Sequence, residues 1–271
     1  MYRKMEKIAI YCVNYKSYDY LATFLESVDK AAKAAAGLAE VSVFVADNTD
    51  SKIEDICINM DSAMLRVFAY HANYGYFGAV SKMMEGTDPY VFDFIIISNV
   101  DVRISNDALI LLVKKYGNGR KDVGWIAPQI YSEIEKRDRN PQILKRYSLR
   151  RLRLLRFMFK HPFICMLYKK TAYKRKSLRT YDSCYIYGGH GSFIILTNVY
   201  LKKCGIINYP IFLYCEEIYL AEQCYNNGLK VIYDPEVMVW DMEHASTGKM
   251  PSSLYFKYNK EALEYVMKTF Y

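Results

Sequence analysis

Three acidic positions in this chain have the surroundings that metal or acid–base chemistry needs. The run Phe94-Ile-Ile-Ile-Ser-Asn-Val-Asp-Val102 is short, β-branched and hydrophobic, and it ends at Asn99 and Asp101. A buried strand of an α/β sheet delivers a carboxylate in this way to the sheet's carboxyl edge, where such folds bind ligands. Asp47 closes an earlier hydrophobic run, and an acidic pair, Glu216-Glu217, lies far downstream. One carboxylate at a strand end says little. Together they suggest a site for a metal-bound phosphorylated substrate, with a carboxylate that acts as a base.

Positioning these groups requires alternating strands and helices. The pattern predicts strands over Ile8–Tyr15, Val41–Ala46, Leu65–Ala69, Phe92–Ser98 and Val123–Tyr131. Helices are predicted over Ser17–Ala36, Phe77–Gly86 and about Asn106–Tyr116; in the first, Leu21, Phe24, Leu25, Val28 and Ala32 share one face. Further on, order is expected over Tyr185–Thr197, a helix around Glu216–Asn227, a bent strand over Lys230–Trp240 and a helix over Ser252–Tyr271. This alternation implies an α/β fold with a mostly parallel, doubly wound central sheet flanked by helices. Residues 1–271 read as one domain, with a change of role near residue 120.

Composition narrows the class. A chain of 271 residues that is 52% hydrophobic and 24% charged can bury a sizeable core, which argues against general disorder. The seven Cys include no Cys-x-x-Cys pair, so neither a disulfide framework nor a zinc knuckle is expected. Met1–Lys7 leads into the first strand without an apolar signal core, and no apolar run is long enough to span a membrane. Reduced thiols and the missing leader point to the cytoplasm. The net charge of +8 conceals an asymmetry, because residues 136–180 carry 16 Lys/Arg against Asp138 alone. The rest of the chain is net negative: an acidic globule with one basic insertion.

The first strand is followed by Asn14-Tyr-Lys-Ser-Tyr18. Dinucleotide fingerprints and P-loops need glycines there so that backbone amides can reach phosphate, and both are excluded. Nucleotide contacts must then come from side chains and a metal.

Seven short motifs occur in one order: Ile10-Tyr-Cys-Val-Asn-Tyr15, Val45-Ala-Asp-Asn48, Asn73-Tyr-Gly-Tyr-Phe-Gly-Ala79, Ser98-Asn-Val-Asp-Val102, Gly188-Gly-His-Gly-Ser-Phe193, Phe212-Leu-Tyr-Cys-Glu-Glu217 and His244-Ala-Ser246. In this order they resemble glycosyltransferase family 2, inverting enzymes of GT-A fold, and most of all its rhamnosyltransferase-like, bacterial polysaccharide branch. The resemblance implies a nucleotide-sugar-binding half up to about residue 120 and an acceptor-binding half beyond it. By position, Val13, Asn14 and Tyr15 would flank the base and Asp47 would hydrogen-bond a uracil or thymine ring. Asn73 and Gly78 would lie along ribose and diphosphate, beside Asn99 and Asp101. Asp101 and His244 would hold Mg2+ or Mn2+. Gly189, His190, Gly191 and Glu216 would border the acceptor, and Glu217 would be the catalytic base. Asn99 stands in the first Asp position of the family's Asp-x-Asp region. Ser81 replaces a frequent Asn, Glu217 a commoner Asp, and Tyr219 a position that is often acidic.

The implied activity is metal-dependent transfer of a sugar from a UDP- or dTDP-sugar to a cell-surface glycan or lipid-linked acceptor. Within the basic segment Arg146, Arg150, Arg153, Arg156 and Lys160 fall on one helical arc, and Leu152, Leu155, Met158 and Phe159 favour the other. At roughly 1 kcal/mol per basic residue, half a dozen contacts would hold the chain peripherally at an anionic membrane. Two other readings stay open: a catalytically silent nucleotide-sugar or glycan binder of the same fold, and a nucleic-acid-binding protein using the basic segment.

Overall fold

The computed structural model describes residues 4–50, 59–117, 119–171, 181–242 and 251–271. The first half runs β1 (Glu6–Asn14), α1 (Tyr18–Ala34), β2 (Ala39–Asp47), β3 (Met64–Ala69), α2 (Tyr76–Glu85), β4 (Phe94–Asn99), β5 (Val102–Ile104) and α3 (Ala108–Tyr116). The second runs β6 (Val123–Ser132), β7 (Arg137–Asp138), α4 (Leu149–Lys160), α5 (Pro162–Thr171), β8 (Cys184–Ile186), β9 (Phe193–Thr197), α6 (Asn198–Cys204), α7 (Glu216–Asn226), β10 (Lys230–Asp241) and α8 (Ser252–Phe270).

All the strands join one sheet in the order β3-β2-β1-β4-β9-β6-β10-β5, with β7 beside β6 and β8 beside β10. The expected parallel sheet is its first part, because β3, β2, β1 and β4 pair parallel, as do β6 and β10. Strand β9 enters antiparallel between β4 and β6, and β5 and β8 pair antiparallel with β10. The run Phe193-Ile-Ile-Leu-Thr197 is buried on both faces, and a sequence of that kind reads the same in either direction.

The sheet is buried on both sides. Ile8, Ile10 and Cys12 of β1 face the layer formed with α1 and α3, while Ala9 and Tyr11 face the layer containing α2, α6, α7 and α8. The expected stripe of α1 (Leu21, Phe24, Leu25, Val28 and Ala32) is wholly buried. Register fixes the working edge. Asn14 lies opposite Asp47, and Val13 opposite Asn99, so three motifs end at the same level.

The basic segment is a helical insertion, but two of its expected features need correcting. Its apolar stripe is not available to lipid: Leu152 is completely buried, and Phe159 packs against Tyr255 and Phe256 of α8 at 5.8 and 6.2 Å. Arg146 does not belong to a solvated cationic arc. Its guanidinium is bidentate to the buried Glu222 at 2.9 and 2.8 Å and lies over the rings of Tyr225 and Tyr271. Tyr187 donates to the same carboxylate. A carboxylate without exposure needs such a partner, and here the pairing joins the insertion to α7.

Candidate active site

A cleft of ≈ 410 Å³ opens at the carboxyl edge of β1, β4 and β10 and is lined by residues of both halves. Of the expected site residues, Val13, Tyr15, Asn73, Asn99, Asp101, His190, Gly191, Glu216 and Glu217 line it. Asn14, Asp47, Gly78 and Gly189 are not among its lining residues. His244 lies outside the described residues.

Asp47 has no exposed surface, and its oxygens are engaged internally. Oδ1 accepts from Asn14 Nδ2 at 3.2 Å and from the Thr49 amide at 3.1 Å, and Oδ2 accepts from the Tyr18 hydroxyl at 2.8 Å. Asn14 Oδ1 in turn accepts the Ser17 amide at 3.2 Å. These two residues therefore brace β1, β2 and the start of α1 from within, where base contacts were expected. The next residue, Asn48, reaches the cleft instead. Its Nδ2 donates to the Gly75 carbonyl at 2.8 Å, while its Oδ1 is buried with no hydrogen-bond partner. A buried acceptor left unmatched at a cleft wall suits the N–H of a ligand.

Within its motif Gly75, not Gly78, lines the cleft. It has φ 74° and ψ −166°, and a Cβ on it would fall 2.0 Å from the Phe212 carbonyl oxygen. Its amide donates to Asn73 Oδ1 at 3.0 Å, so a tight turn holds Asn48, Asn73 and the Phe212–Tyr214 wall together. Gly189 is a packing glycine, since a Cβ there would meet Ala127 at 2.7 Å and the Trp125 ring at 3.0 Å.

At the centre, Asp101 and Asp241 share the cleft with Arg139 and His190. Arg139 Nε lies 3.2 Å from Asp241 Oδ2, and His190 Nδ1 lies 2.9 Å from Ser192 Oγ. Asn140 Oδ1 accepts the His190 amide at 2.8 Å and holds the glycine-rich loop in place.

The acidic pair opens α7. Tyr214 and Cys215 just before it have φ 76° and 62°, a left-handed backbone that is strained for side chains of this size. Glu216 is buried rather than solvated, and its Oε1 accepts the Tyr214 amide at 2.9 Å. Glu217 Oε1 accepts the Gly191 amide at 3.2 Å, and a Cβ at Gly191 would lie 2.9 Å from that oxygen. Tyr76 donates its hydroxyl to the Gly191 carbonyl at 3.0 Å. Burial and the charge of Glu217 push the Glu216 carboxyl up to about 8. Burial also raises Glu217, against the opposing pull of its own amide and that of Gly191. At neutral pH Glu216 then keeps its proton, which spares the buried pair a second charge.

A stability effect follows. Unfolded, Glu216 titrates as an ordinary carboxylate; folded, it keeps its proton up to about 8. The folded state binds the extra proton between those values, so this contribution is complete below the ordinary carboxylate range and lost as pH rises through about 8. Glu216→Gln is expected to melt at a higher temperature than the parent at pH 9 and to show a flatter stability profile from pH 5 to 9. Parallel profiles for the two proteins would remove this account of Glu216.

Asn48, Gly75, Tyr76, Arg139 and Asp241 went unassigned in the sequence. Three of them stand within the quoted motifs, whereas Arg139 looked like part of the basic insertion and Asp241 like the end of a strand.

No family model matches the sequence, and no curated protein matches it. Solved structures do. S. aureus TarS 1–349 superposes with a TM-score of 0.54 at 12% identity, covering 87% of this chain and 60% of TarS 1–349. The same fragment in complex with UDP-GlcNAc gives 0.55 at 10% identity, over 97% of this chain and 71% of that one. GalNAc-T7 with UDP, GalNAc and Mn2+ gives 0.58 at 13% identity, over 91% of this chain and 45% of that one. The chain thus spans about three fifths of TarS 1–349 and under half of GalNAc-T7. At these identities the likeness shows the fold, which is the expected GT-A architecture.

Proposed function

We propose that this chain is an inverting glycosyltransferase moving a sugar from a UDP- or dTDP-sugar to a hydroxyl of a glycan or lipid-linked acceptor. The observation that carries this is the convergence of Asn48 Oδ1, Asp101 and Glu217 on one cleft, from three distant parts of the chain. Tyr15 supplies a ring at the base end, and the unmatched oxygen of Asn48 suits the imide N–H that uracil and thymine both carry. Structures of similar fold with UDP and with UDP-GlcNAc support a uridine diphosphate donor. The motif order favours the rhamnosyltransferase-like branch of family 2, bacterial polysaccharide assembly, and hexosyl or deoxyhexosyl transfer. With a lipid-linked acceptor the chain would work peripherally at the cytoplasmic face of a membrane.

The charges in the cleft favour a divalent cation. Asp101, Glu217 and Asp241 stand against Arg139, an acidic balance that would repel a diphosphate. Among the described residues no cluster of three His, Cys, Asp or Glu forms a cage. The donor set therefore fits an ion held by Asp101, water and the substrate's phosphates, as Mg2+ or Mn2+ commonly is. When bound, such an ion would neutralise the charge that gathers on the departing diphosphate.

Glu217 takes the proton of the acceptor hydroxyl as that oxygen bonds to the anomeric carbon, and the bond to the diphosphate breaks on the opposite face. The Gly191 amide keeps the carboxylate turned toward the acceptor side. Glu216, holding its proton, keeps a second charge away from the base.

The decisive experiment titrates UDP and dTDP calorimetrically with and without Mn2+ and then screens nucleotide sugars for nucleotide release. Asp101→Ala is expected to abolish the Mn2+-dependent gain in donor affinity. Asn48→Ala is expected to weaken UDP by about ten-fold through loss of one buried hydrogen bond. No binding of either nucleotide to the parent protein would refute the proposal. Mn2+-dependent affinity retained by Asp101→Ala would refute the assignment of that residue.

A further inference from the structure

The basic insertion bares an apolar surface different from the stripe its sequence suggested. Among its described side chains α5 buries Cys165, yet leaves Phe163 74%, Met166 56%, Leu167 52% and Ile164 41% exposed. Helix α4 adds Leu154 at 59% and Phe157 at 48%, neighbours on one face because they are three residues apart. Arg150 and Arg153 stand exposed beside this pair, and neither has an acidic partner among the described residues. By contrast Arg146 and Arg156 are engaged by Glu222 and Glu264.

We infer that α4 and α5 form a docking face for an anionic lipid bilayer, with α5 lying in the interfacial plane. Exposed apolar side chains beside two cations that have no acidic partner among the described residues match a surface that is hydrocarbon below and phosphate above. Charge sets the orientation. Residues 149–171, which form the two helices, carry seven Lys/Arg and no Asp or Glu, while the chain outside 136–180 is net acidic, so an anionic surface attracts this face and repels the others. A second copy of the chain would bring the same cations against each other. Nucleic acid would satisfy Arg150 and Arg153 but leave Leu154, Ile164, Met166 and Leu167 in water. No helix among the described residues is long and apolar enough to cross the membrane, which leaves attachment at the surface.

The covered side of α4, opposite the exposed face, connects the insertion to the cleft. Phe159 of α4 meets Tyr255 of α8 at 5.8 Å, Tyr255 meets Tyr214 at 5.4 Å, and Tyr214 lines the cleft. Docking would hold the chain at the surface that carries a lipid-anchored acceptor; this last step rests on the proposed transfer, whereas docking itself does not.

The test is co-sedimentation of the full chain, without nucleotide sugar, with vesicles containing phosphatidylglycerol or of phosphatidylcholine alone. Binding is expected to the anionic vesicles and to weaken with salt. Phe163→Asp with Met166→Asp should lower the partition coefficient by at least about ten-fold. Arg150→Gln with Arg153→Gln should lower it by about 25-fold. All four positions are exposed, so the variants should melt like the parent. Absence of binding to anionic vesicles, or binding that both double variants retain, would overturn the proposal. So would a dimer that Phe163→Asp dissolves, or RNA that displaces the vesicles and binds the apolar variant as well as the parent. UDP titration without vesicles reports separately on the transfer reading, so either can fail alone.

Discussion

Glu217→Gln is expected to slow sugar transfer by about a thousand-fold while leaving UDP affinity within about two-fold of the parent. The separation of the two effects comes from the geometry. Gln keeps a carbonyl oxygen for the Gly191 amide, so the glycine-rich loop and the start of α7 keep their contact. What is lost is the ability to accept a proton from the acceptor hydroxyl. The proposed nucleotide end, with Tyr15, Asn48 and Asn73, is built on other elements, and its hydrogen bonds from Asn48 and Asn73 run to Gly75 rather than to Glu217. The pH profile adds a second signature. Burial raises the Glu217 carboxyl, so the acid limb of kcat/KM should lie above the ordinary carboxylate range, and the Gln variant should lose that limb. Single-turnover rates and calorimetry on the same preparation would separate the effects. A variant that turns over like the parent would leave the reaction without its base.

Gly75→Ala should be the most damaging glycine-to-alanine change among the described glycines. The backbone at φ 74° and ψ −166° lies in a region nearly closed to residues with a side chain, and the new carbon would sit 2.0 Å from the Phe212 carbonyl oxygen. Backbone cannot yield as a flexible side chain can. Destabilisation of about 3–5 kcal/mol is expected, a fall in Tm of about 10 °C, together with loss of UDP binding. The binding loss follows because the Gly75 amide and carbonyl hold Asn73 and Asn48. Gly37→Ala is the control. It also has positive φ, at 77°, but nothing lies within 4 Å of its Cβ position. Its expected cost is about 1 kcal/mol. Equal melting temperatures for the two variants would mean that the clash with Phe212 does not exist.

The strand and helix pattern could be read directly because its signals are local. The continuous apolar run of β1 and the stripe of α1 depend only on residues a few positions apart, and both appear in the structure as expected. Strand β5 and helix α6 were not anticipated, since three and seven residues are too short to display a period. Helix α5 escaped for another reason: its exposed arc is apolar (Phe163, Ile164, Met166 and Leu167), so it lacks the polar outer face that marks an ordinary surface helix.

For the site, the sequence by itself determined the chemical inventory: Asp101 at a strand end, an acidic pair opening a helix, and a glycine-rich loop ahead of a buried strand. Spacing along the chain was enough, because a strand's carboxyl edge is where such residues become useful. Only the tertiary structure decided which member of each adjacent set reaches the cleft. Asp47 turns inward to brace α1 while Asn48 faces the cleft, Gly75 rather than Gly78 meets the opposite wall, and Gly191 rather than Gly189 touches Glu217. The same holds for the basic insertion, where α8 covers the evident apolar stripe and another is left bare. Periodicity states which residues share a face. What covers that face, and how close it comes, depends on elements far away in the chain.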